Sequence, residues 1–241
     1  MIINPGSASR KYALYEGELE LARAHMEKEG DGFVATIKIV NTEDKIPIST
    51  EEYSSSVKYF LGLLASKNLV NAYSDISAVG LRIVAPGQYF LSNKIIEAEY
   101  MNQLEKAKEE APLHIEPELA EIKQVRDVLP EVPIVGISDS AFHSTMPAPS
   151  RSYSIPGDTA EKYGIYRYGY HGISANSVLR KIESMGSVPE RVVICHLGGG
   201  VSITALKDGK SVDTSMGFTP LEGVVMATRI GNIDAGAVIY L

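Results

Sequence analysis

The stretch His196-Leu197-Gly198-Gly199-Gly200-Val201-Ser202 sets three consecutive glycines between two runs that read as strands. Before it, Val192-Val193-Ile194-Cys195 is β-branched and apolar; after it, Val201, Ile203 and Ala205 alternate with Ser202 and Thr204. Glycines let a backbone turn sharply with no side chain in the way, and a concavity of N–H donors suits a phosphate. A plain glycine hairpin would read the same. A second turn of this kind tips the balance. Asn4-Pro5-Gly6-Ser7-Ala8-Ser9 follows the apolar Met1-Ile2-Ile3 and precedes the alternating Lys11-Tyr12-Ala13-Leu14-Tyr15, so hydroxyls and a lysine share one loop. Two such turns could clamp both ends of one polyphosphate. Neither is a P-loop, because G-x-x-x-x-G-K-[ST] does not occur and no helix directly follows either turn.

Further groups sit where chemistry is common. Arg82 lies near the end of the apolar run 76–84, where a guanidinium must be paired or snorkel at a sheet edge. Asp139, in Ser138-Asp139-Ser140, follows the strand-like Val132–Ile137; a carboxylate there suits chemistry or a helix cap equally. His114 is expected in a loop between two helices, a solvated or capping position.

The elements that must place these groups are an α/β set. Strands are expected over 33–40, 76–84, 132–137, 192–195 and 201–205. Ser49-Thr50-Glu51-Glu52 is a capping box opening a helix with Val57, Phe60, Leu61 and Leu64 on one side. Residues 97–110 read as a helix with Met101 and Leu104 inward. A second helix starts near Pro117, where a missing N–H costs little. Tyr166–Gly172 leads into another helix, and Asp208-Gly209 is a hairpin turn. The proline-rich segment 146–156 is the expected border between domains at 1–150 and 151–241.

With Lys plus Arg at 23 against Asp plus Glu at 30, the net charge of −7 argues against a general nucleic-acid binder, so an anionic ligand needs a local cluster of cations and amides. The one cysteine, Cys195, rules out an internal disulfide and reads as a small buried hydrophobe. No signal peptide and no membrane-spanning run is evident, so a cytoplasmic setting with no membrane partner is expected.

Taken together, Asn4–Lys11, Ala111-Pro112-Leu113-His114, Asp139–Pro147, Tyr168-Gly169-Tyr170-His171-Gly172, His196–Gly200, Asp213–Gly217 and Thr228-Arg229-Ile230-Gly231 resemble the acetate kinase family in order and spacing, from residue 1 to 241. The resemblance implies the acetate-kinase, sugar-kinase and actin superfamily: duplicated α/β domains, ribonuclease-H-like, around a nucleotide cleft. It implies reversible transfer of the ATP γ-phosphoryl to acetate or another short carboxylate, with Mg²⁺ as cofactor and a homodimer as the assembly. Carried over by position, Asp139, His171 and Arg229 are the expected catalytic groups. Arg82 would bind the carboxylate beside an apolar pocket of Val84, Leu113, Tyr170 and Pro220. Ser7, Ser9 and Lys11, with His196, Leu197, Gly198, Gly199 and Gly200, would face the phosphates, and Asn4 would help hold Mg²⁺. In-line phosphoryl transfer asks for positioning and cations rather than a covalent nucleophile.

The chain departs from the family pattern in three ways. Gly199 stands where an asparagine is usual, and Ala85-Pro86-Gly87 replaces His-Gly-Gly. The family's adenosine-binding segments, a magnesium-binding glutamate and its terminal helix lie beyond Leu241, so the second domain is expected to be incomplete. A catalytically inactive remnant acting as a binding domain is therefore the alternative function. A sugar kinase is a third reading, which the Tyr170-His171 pair and the small pocket disfavour.

Overall fold

The computed structural model describes residues 1–6 and 9–241, so the expected phosphate contact of Ser7 lies outside the described residues. The chain forms two compact units: Met1–Ile83 with Lys94–Gly136, and Val84–Asn93 with Ile137–Leu241. The division expected near residue 150 is a different partition. The chain crosses between units at 83/84, 93/94 and 136/137, and the proline segment lies inside the second unit as a 3₁₀ turn, Ala141–Thr145, and a short helix, Ala148–Arg151.

In the first unit, β1 (Ile2–Pro5), β2 (Ser9–Glu16), β3 (Leu19–Glu29), β4 (Gly32–Ile39) and β5 (Thr42–Ile48) form an antiparallel meander. β6 (Val79–Ile83) adds to β1 in parallel, and β7 (Lys94–Ile95) and β8 (Ile134–Ser138) complete the order β5-β4-β3-β2-β1-β6-β8-β7. Arg82 is therefore on an interior strand, and the sheet-edge reading of it falls. Helix α1 (Thr50–Ser54) begins with the expected capping box, in which Ser49 Oγ accepts from Glu52 N and the Glu52 carboxylate accepts from Ser49 N. Helix α2 (Ser56–Ser66) buries Val57, Phe60, Leu61 and Leu64 as expected. Helix α3 (Ala98–Ala107) turns Tyr100 and Leu104 inward, with Met101 only half-buried, because an aromatic of that size takes the deepest position.

Helix α4 (Pro112–Val128) starts five residues before the expected position. Pro112, not Pro117, takes the tolerant first turn, and Pro117 lies inside the helix, where its missing N–H leaves the Leu113 carbonyl without its helical bond. His114 is thus in the helix rather than in a loop. α4 packs on β1 and β6 and against α2 and α3.

In the second unit, β9 (Arg191–Leu197), β10 (Val201–Lys207) and β11 (Lys210–Thr214) form an antiparallel sheet in the order β11-β10-β9. Asp208 and Gly209 both have positive φ, as a tight two-residue hairpin turn needs. Helix α5 is the short Ala148–Arg151, α6 is Gly157–Tyr163, α7 is Gly172–Met185 and α8 is Ala235–Tyr240. α7 packs on β9, and Ala175, Leu179, Ile194 and Leu206 make the core there.

Cys195, expected as a small buried hydrophobe, is exposed. β10 buries Ser202, Thr204 and Leu206 and turns Ile203 outward, and β9 buries Ile194 while Val193, Cys195 and Leu197 are exposed. Period-two alternation says that two faces differ, but it does not say which one meets the core. Here the hydroxyl face finds hydrogen-bond partners in His171 and in Thr214 on β11, while Leu206 on the same face packs against α7. Among the described residues, no helix is long and apolar enough to cross a membrane.

Candidate active site

In the first unit, three expected residues lie on adjacent strands. Asn4 on β1 is the cross-strand partner of Lys11 on β2, and on its other side it meets β6, where Arg82 Nη1 donates to Asn4 Oδ1 at 3.1 Å. Ser9 opens β2. A guanidinium on Asn4 Oδ1 is an awkward neighbour for a dication, and Mg²⁺ asks for oxygen ligands. Among the described residues, no group of three or more His, Cys, Asp or Glu side chains could hold a metal ion. The described residues, as placed, do not make a magnesium cage. Leu113 is in the first turn of α4 and is 74% exposed.

The second unit assembles the larger group. At the end of β8, Ser138 is tied down by its amide to Asn93 Oδ1 at 2.9 Å and by its hydroxyl to the Phe90 carbonyl. Asp139 follows and is 1% exposed. Its Oδ2 accepts from His171 N at 2.9 Å, and its carbonyl accepts from Gly172 N at 2.8 Å. This double grip holds His171 at φ 60 and ψ 20, the left-handed conformation, as the residue capping α7. A non-glycine residue there is strained, and such strain collects at functional sites. The carboxylate also sits at the positive end of a helix. Asp139 thus does what a helix cap does while placing a histidine.

The His171 ring stacks on the His196 ring at 4.0 Å between centroids. His171 Nδ1 lies 3.0 Å from Ser202 Oγ, and His196 Nδ1 lies 2.9 Å from Ser174 Oγ. The opposite nitrogens face the glycine turn. A Cβ built on Gly200 would lie 3.1 Å from His171 Nε2 and 3.0 Å from Arg229 Nη2, and one on Gly198 would lie 3.5 Å from His196 Nε2. Gly200 is therefore there for close approach, since none of the three turn glycines has positive φ. The Gly198 amide closes the turn onto the Gly200 carbonyl at 3.1 Å. That leaves Gly199 and Gly200 as the amides that donate to no acceptor among the described residues.

Arg229 is held by its Nη1, which donates to the Pro220 carbonyl at 2.7 Å, while Ala227 N donates to Gly199 O at 3.3 Å. Burial pulls the Arg229 pKa down from its ordinary value, yet a guanidinium stays charged at neutral pH. Its loop is fastened by Glu222, which pairs with Arg167 Nη2 at 2.7 Å and accepts from the Tyr153 hydroxyl. Burial, with Glu222 adding to it, pushes the Tyr153 phenol well above its usual range, so it stays a donor. Beside this group, Val84 and Tyr170 pack with Met216 and Met226 in one apolar cluster, and the Tyr170 hydroxyl donates to the Phe218 carbonyl at 2.6 Å.

His143, buried beneath the same loop, has Nε2 3.0 Å from the Tyr170 carbonyl and Nδ1 2.9 Å from Ser211 Oγ. A carbonyl can only accept, so the proton is on Nε2. Burial, against the pull of that bond and of Asp139, lowers its pKa and keeps the ring neutral.

The model of the acetokinase family matches residues 1–241. The chain belongs to that family. It is 39% identical to an acetate kinase of Oceanobacillus iheyensis over 247 aligned positions, which cover all of this chain and 62% of that protein. The solved acetate kinase of Porphyromonas gingivalis superposes with a TM-score of 0.84 at 34% identity, covering 100% of this chain and 62% of that one. A propionate kinase from Francisella tularensis gives 0.89 at 33%, covering 99% and 62%. The chain thus spans about three fifths of the length of these acetokinase-family relatives.

Sequence reasoning missed Ser174, Ser202, Met216 and Met226. Ser202 had a signal, as a hydroxyl alternating with apolar residues directly after the glycines. The methionines had none, because Met216 stood out only as part of a motif.

Gly172 gives a direct check on the grip of Asp139. A Cβ there would come within 2.4 Å of the Asp139 carbonyl oxygen. Gly172→Ala should lose about 1–3 kcal/mol of stability and, with His171 displaced, should also slow the reaction proposed below. Urea denaturation checks the first, and an unchanged midpoint would show that the turn yields freely.

Proposed function

We propose that the protein is a carboxylate kinase: a carboxylate oxygen of acetate or a similarly short acid attacks the γ-phosphorus of ATP, the bond to the β,γ-bridging oxygen breaks, and an acyl phosphate and ADP form. The observation that supports it best is the convergence of His171 Nε2 and Arg229 on Gly200, in a turn where the Gly199 and Gly200 amides donate to no acceptor among the described residues, with an apolar cluster alongside. Cations and aligned donors at the place where charge spreads over phosphoryl oxygens are what this reaction needs from a protein. In this reading His171 and Arg229 neutralise the transferring group, Asp139 sets His171, and the glycine turn from His196 to Gly200 takes the nucleotide phosphates. Ser9 and Lys11 are proposed as further phosphate contacts, and Arg82 as the carboxylate contact. Val84 and Tyr170, with Leu113 and Pro220, are proposed to limit the acyl group. A cytoplasmic homodimer using MgATP belongs to the same reading, on the family resemblance.

The test is hydroxamate trapping of acyl phosphate with ATP, Mg²⁺ and acetate. Turnover above a protein-free blank supports the reading, and none at high protein concentration overturns it for this chain. Acid length is a second check. One methylene in an apolar pocket is worth about 1–3 kcal/mol, so kcat/KM for acetate and propionate should differ by no more than about 200-fold. A strong preference for butyrate or a longer acid would remove Val84 and Tyr170 from the acyl site.

A further inference from the structure

β10 buries Ser202 to 2% exposure, and its hydroxyl faces His171 Nδ1 at 3.0 Å. A hydroxyl has one proton to give. Among the described residues, Nδ1 is the one hydrogen-bond partner of this hydroxyl, so a proton pointed anywhere else would be a buried donor with no acceptor, which is costly. The proton therefore goes to Nδ1, and a neutral imidazole accepting at Nδ1 carries its own proton on Nε2. Nε2 is the nitrogen that faces Gly200, next to Arg229.

We propose that Ser202 is a positioning residue that locks His171 in the Nε2–H tautomer, so that a neutral ring still donates a hydrogen bond to an anionic group seated at the glycine turn. The inference rests on the phosphoryl-transfer reading for its purpose, though not for its geometry. The other tautomer would aim a lone pair at a phosphoryl oxygen and repel it. Three restraints leave the ring no other choice. Asp139 fixes the backbone of His171, His196 stacks on one face, and Arg229, a fixed cation on the same side of Gly200 as Nε2, disfavours a second positive charge there. Ser174 makes the matching contact to His196 but is only half-buried, so its proton has other places to go. The lock belongs to Ser202.

The test reads the tautomer without relying on turnover. The 241-residue chain is labelled with ¹⁵N-histidine, and long-range ¹H–¹⁵N correlations are recorded at about pH 8, above the ordinary histidine range; His171→Gln assigns the signals. In the wild type, His171 should show a pyrrole-type Nε2 and a pyridine-type Nδ1. Ser202→Ala should move both shifts toward a mixture, with the His143 signals unchanged as a check on folding, and Ser202→Thr should restore the wild-type pattern. A wild-type ring protonated on Nδ1 overturns the proposal, and so does a Ser202→Ala ring that keeps the Nε2–H form.

If the chain turns over, Ser202→Ala should lower kcat about 10-fold at about pH 8 with KM for ATP little changed, and Ser202→Thr should restore it. That is less than the 10²–10³ expected for deleting a donor outright. A loss that Ser202→Thr does not restore, or one that falls on KM rather than kcat, would indicate a merely structural role and overturn the proposal. If no acyl phosphate forms, the carboxylate-kinase reading fails by itself, and the spectra still decide the tautomer.

Discussion

Arg229→Ala should lower kcat for acyl-phosphate formation by about 10²–10³, or about 3–4 kcal/mol, while nucleotide affinity changes little. The guanidinium is held by the Pro220 carbonyl and lies against Gly200, where no side chain intervenes. The backbone contacts of its segment, Met226 N to Arg229 O and Ala227 N to Gly199 O, do not involve the side chain and survive the substitution. The glycine turn should therefore keep its shape and its amides. What goes is a charge that matters most when negative charge spreads over the transferring oxygens. Hydroxamate trapping gives the rate, and calorimetry with ADP gives the affinity. A variant that loses affinity in proportion to rate would show that Arg229 acts in ground-state binding. Asp139→Asn separates two further roles, because the amide oxygen can still accept from His171 N. Near-normal turnover would leave Asp139 with positioning alone, and a loss as large as that of Arg229→Ala would mean that the reaction uses its charge.

Arg10→Ala should destabilise the protein by about 3–5 kcal/mol, the range for breaking a buried ion pair from one side. Arg10 on β2 pairs with Glu121 on α4 at 3.2 Å, and it donates to Ser56 Oγ at 2.5 Å and to the Tyr53 carbonyl at 2.7 Å. Glu121 is 1% exposed and also accepts from the Tyr12 hydroxyl at 2.8 Å. Burial pushes the Glu121 carboxyl above its usual range, and Arg10 is the foremost influence pulling it back. Removing Arg10 leaves a buried carboxylate whose pKa in the folded state rises further above its unfolded value. Such a group contributes stability that is present in full below the unfolded pKa and is lost as pH rises through the folded one. The deficit of Arg10→Ala should thus be largest at neutral pH and shrink towards about pH 4, as Glu121 takes up a proton. Urea midpoints at several pH values check this. A deficit of constant size would mean that lost packing, not the stranded charge, is the cause. The double variant Arg10→Met, Glu121→Leu, which removes both charges, should recover most of the loss.

Much of this protein is legible in its residues. The capping box at Ser49, the hairpin turn at Asp208-Gly209 and the strands on either side of each polar turn follow from local rules that act within a few residues. So do the α/β class and the family, because seven short motifs occur in register. Three things were decided elsewhere. The buried face of β10 carries hydrogen-bonded hydroxyls: Ser202 meets His171, 31 residues away in the chain, and Thr204 meets Thr214 across the adjoining hairpin strand. Arg82 was placed on an interior strand by β6 inserting beside β1, which no local pattern states. The strained backbone of His171 exists because Asp139, far away in sequence, grips its amide and that of Gly172. Periodicity and propensity report what a segment can bury. Which partner a buried polar group finds, and so which way a histidine ring points, depends on contacts that only the folded chain supplies.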